Sequence, residues 1–89
     1  MADKAIGEVS NFFEKVMVAA IKLSGKLEVG DKIRIKGGEL VDFTQEVTSM
    51  QINHENVGSA EKGDEIGIKV EQRIRKGYKV YKVYKVVGL

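Results

Sequence analysis

The sequence has no cysteine, a single histidine and no long apolar run among its 89 residues. The first absence excludes disulfides, thiolate zinc sites and a cysteine nucleophile, and it suits a reducing compartment. The one histidine, His54, has no second histidine or cysteine to complete a metal site and no neighbour placed to make it a catalytic base. Glu55 is adjacent, so on a strand it points to the opposite face. No stretch approaches the roughly 20 apolar residues of a membrane span. The opening MADKAIGEVSNFF carries acids and lacks the apolar core of a signal peptide. The expectation is a cytoplasmic chain away from membranes. Nucleotide chemistry is missing as well. Gly58 and Gly63 have the glycine spacing of a phosphate loop, but Asp64 and Glu65 follow them, where a lysine and a hydroxyl are needed. Asp64-Glu65-Ile66-Gly67 has the short Asp-x-x-Gly form of a GTPase signature with no companion motif. Ser10 and Ser49 lie outside any nucleophile-elbow context. No catalysis, cofactor, metal or nucleotide is expected.

Eighty-nine residues make one domain, 1–89. A chain of this length buries about 60–65% of the surface its unfolded form exposes, so a core forms but a deep catalytic cleft has little room. The net charge is only +2, yet it is unevenly spread. Residues 69–89 hold Lys69, Arg73, Arg75, Lys76, Lys79, Lys82 and Lys85 against the single acid Glu71, or +6, which leaves −4 for the first 68 residues. Such a basic end is either a footprint for an anionic partner or a solvated face that keeps strand edges from pairing.

What is present is β-type alternation punctuated by glycine turns. In Val16–Leu23, Met17, Ala19, Ile21 and Leu23 share a face. In Asp31–Lys36, Ile33 and Ile35 point inward between charged neighbours. Gly37-Gly38 starts a hairpin toward Leu40–Phe43. Met50 and Ile52 share a face within Glu46–Asn53, and Ile66, Ile68 and Val70 form another inward set. Turn signals recur at the spacing of a sandwich or barrel rather than of βαβ units. Helix competes only in Lys4–Lys15, where Ile6, Val9, Phe12 and Phe13 have nearly helical spacing; Gly7 and the β-rich context favour strand. The tail repeats Tyr-Lys-Val three times over residues 78–86, a period matching neither strand nor helix. A strand that bulges to serve two sheets would explain it, as would residues past Val83 running beyond the barrel. Tyr78, Tyr81 and Tyr84 interleaved with Lys79, Lys82 and Lys85 have the composition of a base-stacking surface, though tyrosine and valine are also ordinary strand formers.

Several segments together resemble a known family. LEVGDKIRIKG (Leu27–Gly37), VTSMQINHENVGSAEKGDEIGIKV (Val47–Val70) and RIRKGYKVYKV (Arg73–Val83) resemble, in order and spacing, domain 2 of elongation factor Tu and related translational GTPases. IGEVSNFFEKVMVAAIKL fits that domain's opening hairpin, so the resemblance covers about residues 5–83. More closely, the chain is similar to small stand-alone translation-factor-like barrels, themselves similar to the C-terminal barrel of collagenase-like peptidases. The resemblance implies an all-β fold: a single closed Greek-key β-barrel of six or seven strands. It also implies that Gln51, Asn53, His54 and Glu65 stand where the family builds part of its pocket for the aminoacylated end of tRNA. The function so implied is a non-catalytic module contacting RNA, the ribosome or a translation-associated protein, with Arg73, Arg75, Lys76, Tyr78, Lys79 and Lys82 as the contact patch. The alternative is a protein-docking barrel with no RNA role.

Overall fold

Gly7 and Val9 face inward along the first strand, β1 (Ala5–Phe13), until the alternation breaks at Ser10. The structure is a computed structural model describing residues 5–83. Val9 pairs with Ile21 and Asn11 with Ala20, so Ser10 is the extra residue of a β-bulge. Past the bulge the phase inverts: Phe12 packs against the core and Phe13 is exposed. The three-residue step from Val9 to Phe12, which mimics a helix in the sequence, is the step of a bulged strand.

The chain continues as β2 (Val18–Leu23), β3 (Leu27–Glu28), β4 (Lys32–Gly37), β5 (Val41–Glu46), β6 (Met50–Ile52), β7 (Glu55–Val57), β8 (Ser59–Ala60), β9 (Glu65–Lys69) and β10 (Lys79–Val83). The all-β expectation holds. The expectation of a closed barrel of six or seven strands does not. Among the described residues the ladder is open: eight strands run in the order β5-β4-β10-β1-β2-β9-β6-β7, and β3 and β8 form a separate pair. The reason lies between β5 and β6. There the chain leaves the sheet, and Val47 exchanges backbone hydrogen bonds with Gly30 and Asp31 (2.8 Å each) instead of extending a ladder. Gln45, the one buried polar residue among the described residues, bridges the opening. Its Nε2 donates to the carbonyl of Lys69 (2.8 Å), and its Oε1 accepts from the amide of Glu71 (2.9 Å). A side-chain amide thus stands where closure would need strand pairing.

One core fills the curled sheet. Ala19, Ile21, Leu23, Ile33, Ile35, Met50, Ile66, Ile68 and Val70 are buried as their alternation predicts, joined by Val9, Leu27, Val47, Ile74 and Val80. Ile52 is only half-buried against that core, and Met17 leaves it because it takes a left-handed φ of 53° in the β1–β2 turn. Strand β10 is interior, between β4 and β1, so its lysines guard no sheet edge. Its register with β4 runs unbroken from Lys79 to Val83, and the irregularity is in β1, between Ala5 and Gly7. Tyr84, Lys85 and the rest of the third Tyr-Lys-Val repeat lie outside the described residues.

Candidate functional site: two clefts beside the β1–β2 turn

Phe12 and Phe13, adjacent on a strand, point to opposite faces, and the phase inversion at Ser10 sets which of them meets the core. Phe13 lines a cleft of about 690 Å³, and Phe12 lines a second of about 360 Å³.

The larger cleft lies over β2, β9 and β6. Its apolar wall is Phe13, Val16, Val18, Ala20 and Ile52, and Gly67 lies between. Phe13 and Val16, 50% and 58% exposed, stand together on this wall, and it is such adjoining apolar exposure that carries information. Gln51, Asn53, His54 and Glu65 line the same cleft, so the structure brings together four residues singled out on resemblance. Each is held locally. Gln51 Nε2 donates to Asn56 Oδ1 (3.2 Å) across the β6–β7 hairpin. Asn53 and His54 form the two-residue turn of that hairpin with φ of 51° and 66°, as a type I′ turn requires. Glu65 Oε2 accepts from Ser10 Oγ (2.6 Å), whose oxygen also lies 3.2 Å from the carbonyl of Ala20. The Ser10 hydroxyl is thereby held between the Glu65 carboxylate and the Ala20 carbonyl. Lys22 closes one end, its Nζ donating to the carbonyl of Gly63 (2.9 Å).

Gly67 is informative because nothing in the fold demands glycine there. Its φ is ordinary, and a Cβ at that position would meet only Val18 Cγ1 at 3.6 Å, a normal contact. Composition carries no signal for the apolar wall; the Phe12-Phe13 doublet and a glycine inside an alternating strand were its only traces in the sequence.

The second cleft gathers Arg73, Arg75 and Tyr78 with Phe12, Glu14, Val41 and Ile74. Tyr78 is not a free stacking platform. Its ring covers Gly37, where a Cβ would stand 2.1 Å from the ring, and it packs on the core. Part of the basic patch is answered by acids from the rest of the chain. Arg73 Nη2 lies 2.8 Å from Glu14 Oε1, Lys82 Nζ lies 3.2 Å from Asp31 Oδ2, and Lys79 pairs with Glu8, its cross-strand neighbour. Lys76 is exposed on the turn before β10 and lines neither cleft. The charge asymmetry of the sequence is therefore reduced in space by three ion pairs.

No family model matches the chain. An uncharacterized protease of Methanocaldococcus jannaschii is 45% identical over 76 residues, which are 85% of this chain and 19% of that protein. A collagenase of Porphyromonas gingivalis is 31% identical over 78 residues, 86% of this chain and 22% of the collagenase. The chain thus spans about a fifth of the length of these relatives. A crystal structure of the C-terminal domain of a putative U32 peptidase from Geobacillus thermoleovorans superposes with a TM-score of 0.84 at 17% identity, covering 89% of this chain and 99% of that one. A second structure of the same domain gives 0.84 at 18%, with 92% and 93% covered.

These relatives correct the translation-factor reading and the RNA-binding role drawn from it. The Gly-Asp signatures behind that reading have a purely local cause. In Glu28–Asp31 and in Glu61–Asp64 the aspartate amide donates to the carbonyl three residues back (3.1 and 3.0 Å). Each aspartate carboxylate in turn accepts from that residue's amide (2.8 and 2.9 Å). Gly30 and Gly63 supply φ of 98° and 97°. Any β-protein needing this turn can arrive at the same four-residue pattern. The likeness to the C-terminal barrel of collagenase-like peptidases is the part that stands: the chain shares its fold with the C-terminal domain of a U32 peptidase, and its sequence with a segment of a protease and of a collagenase.

Proposed function

We propose that this chain is a non-catalytic protein-binding module working alongside a peptidase of the U32 kind, and that the larger cleft holds an extended stretch of polypeptide. The carrying observation is Gly67. Glycine weakens a strand interior and often marks a place where another backbone approaches closely, and here neither φ nor crowding calls for it. The flanking wall of Phe13, Val16, Val18 and Ile52 supplies apolar contact, and the rim of Gln51, Asn53 and Glu65 supplies polar groups able to meet a peptide backbone. The relatives named protease and collagenase make polypeptide the substance to try first.

Gly67→Leu is the decisive variant, because a Cβ there meets only Val18 Cγ1 at 3.6 Å and the added bulk stands at the cleft. Immobilised gelatin and carboxymethylated casein should bind the parent chain. Gly67→Leu should bind at least about tenfold more weakly, about 1.4 kcal/mol, with melting temperature unchanged or slightly raised since a glycine is lost from a strand. The parent chain alone should leave both polypeptides uncut. Equal binding by parent and variant would sink the cleft assignment, and cleavage by the isolated chain would sink the non-catalytic reading.

A further inference from the structure

The second cleft has a chemistry of its own. Its walls are apolar, from Phe12, Val41 and the ring of Tyr78, and its charged groups are Glu14, Arg73 and Arg75. Glu14 and Arg73 neutralise each other across 2.8 Å. The Arg75 guanidinium forms no side-chain hydrogen bond or ion pair among the described residues, so one positive charge is left over beside an apolar wall.

The backbone that carries Arg75 is held in place. Ile74, immediately before it, is buried in the core. Immediately after, the amide of Tyr78 donates to the carbonyl of Arg75 (3.3 Å), closing a turn in which Gly77 takes a φ of 96°. The far end of that turn is tied to β1, with the Gly77 amide donating to the Val9 carbonyl and the Val9 amide to the Tyr78 carbonyl, 2.8 Å each. The guanidinium thus starts from a fixed backbone position at the cleft, while its exposed side chain keeps the rotamer freedom to reach a ligand.

We propose that this cleft captures the C-terminal carboxylate of a peptide whose last residue is apolar, with Arg75 as the carboxylate receptor and Phe12, Val41 and Tyr78 as the side-chain pocket. A planar guanidinium matches a carboxylate in a two-pronged hydrogen-bonded pair. The single unpaired charge matches a monoanion, while Glu14 at the same cleft works against a phosphate dianion. At about 360 Å³ the space is near the lower end for ligand pockets, suited to the end of a chain rather than its middle. This site is separate from the cleft around Gly67 and does not depend on it.

The test is an amide- and side-chain-resolved NMR titration of the full chain, at low salt, with acetyl-Ala-Phe as free acid and as C-terminal amide. The acid should bind with a Kd of about 1 mM or below, shifting Phe12, Tyr78 and the Arg75 guanidinium, and the amide should bind at least about fivefold more weakly. Arg75→Gln should bring the acid down to the level of the amide without changing the melting temperature, and Arg75→Lys should restore part of the preference. Equal binding of acid and amide, an acid preference that survives Arg75→Gln, or displacement of the acid peptide by equimolar inorganic phosphate would each overturn the proposal.

Discussion

His54 occupies a backbone position that suits it poorly. In the β6–β7 hairpin both turn residues need positive φ, and the pair of choice is Asn-Gly; here Asn53 fits and His54, at 66°, does not. A left-handed non-glycine residue costs about 1–2 kcal/mol, and glycine gives back about 0.5–1 of that through the unfolded state. His54→Gly should therefore stabilise the chain by about 0.5–1 kcal/mol, read as a higher urea midpoint with unchanged slope; a lower midpoint would show that the imidazole itself contributes to the fold. Asp42 makes a second residue-scale case. The Arg34 guanidinium donates Nε–H to Oδ1 (2.7 Å) and Nη2–H to Oδ2 (2.6 Å) across β4 and β5. That hydrogen-bonded pair holds the Asp42 carboxyl below the usual carboxylate range, with the positive charges of Arg34 and Lys36 adding to it. A lowered folded-state pKa means the pair stabilises above the unfolded pKa and is lost as pH falls through the folded one. Asp42→Asn should then melt slightly lower than the parent at pH 7 and match it at pH 2; an equal gap at both pH values would contradict the ionic origin.

At the scale of elements, the alternating segments were legible because strands such as β2, β4 and β9 keep a strict two-residue phase where they meet the core. Ile33 with Ile35, and Ile66 with Ile68, are buried as their spacing predicts. What the sequence hid was the non-periodic part. The bulge at Ser10 makes β1 resemble a helix, and the bulge in β1 near Ile6 lets β10 run straight although its residues repeat in threes. Closure was misjudged for a related reason. Alternation reveals which face of a strand is buried, not whether the first and last strands of the sheet meet. What joins β5 to the chain leaving β9 is instead Gln45, an inward glutamine bonded to Lys69 and Glu71 in a way that no local pattern announces. Gln45→Ala removes both bonds and strands the two backbone groups, at a cost of about 1–3 kcal/mol. Thermal unfolding should show that loss together with faster amide exchange at Glu71. A variant with parent-like melting and exchange would mean that water takes over the bridge without cost.

For the whole molecule, folding mixes what the sequence separates. The acids of the first two thirds, Glu8, Glu14 and Asp31, come to stand against Lys79, Arg73 and Lys82 of the basic end, so the surface there is less basic than the segment's composition. The four residues chosen by resemblance, Gln51, Asn53, His54 and Glu65, do share one cleft, but the apolar wall and Gly67 that give that cleft a use were not legible, since hydrophobic residues on an outward face look the same in sequence as those of a second core. The central claim is that polypeptide lies along the face of β2, β9 and β6. The most direct measurement is an amide-resolved NMR titration of the chain with a soluble gelatin peptide, followed residue by residue. Shifts concentrated at Val18, Ala20, Ile52, Glu65 and Gly67, and absent from the same titration of Gly67→Leu, are the predicted result. Shifts confined to the edge strands β5 and β7, or no shifts at all, would contradict it.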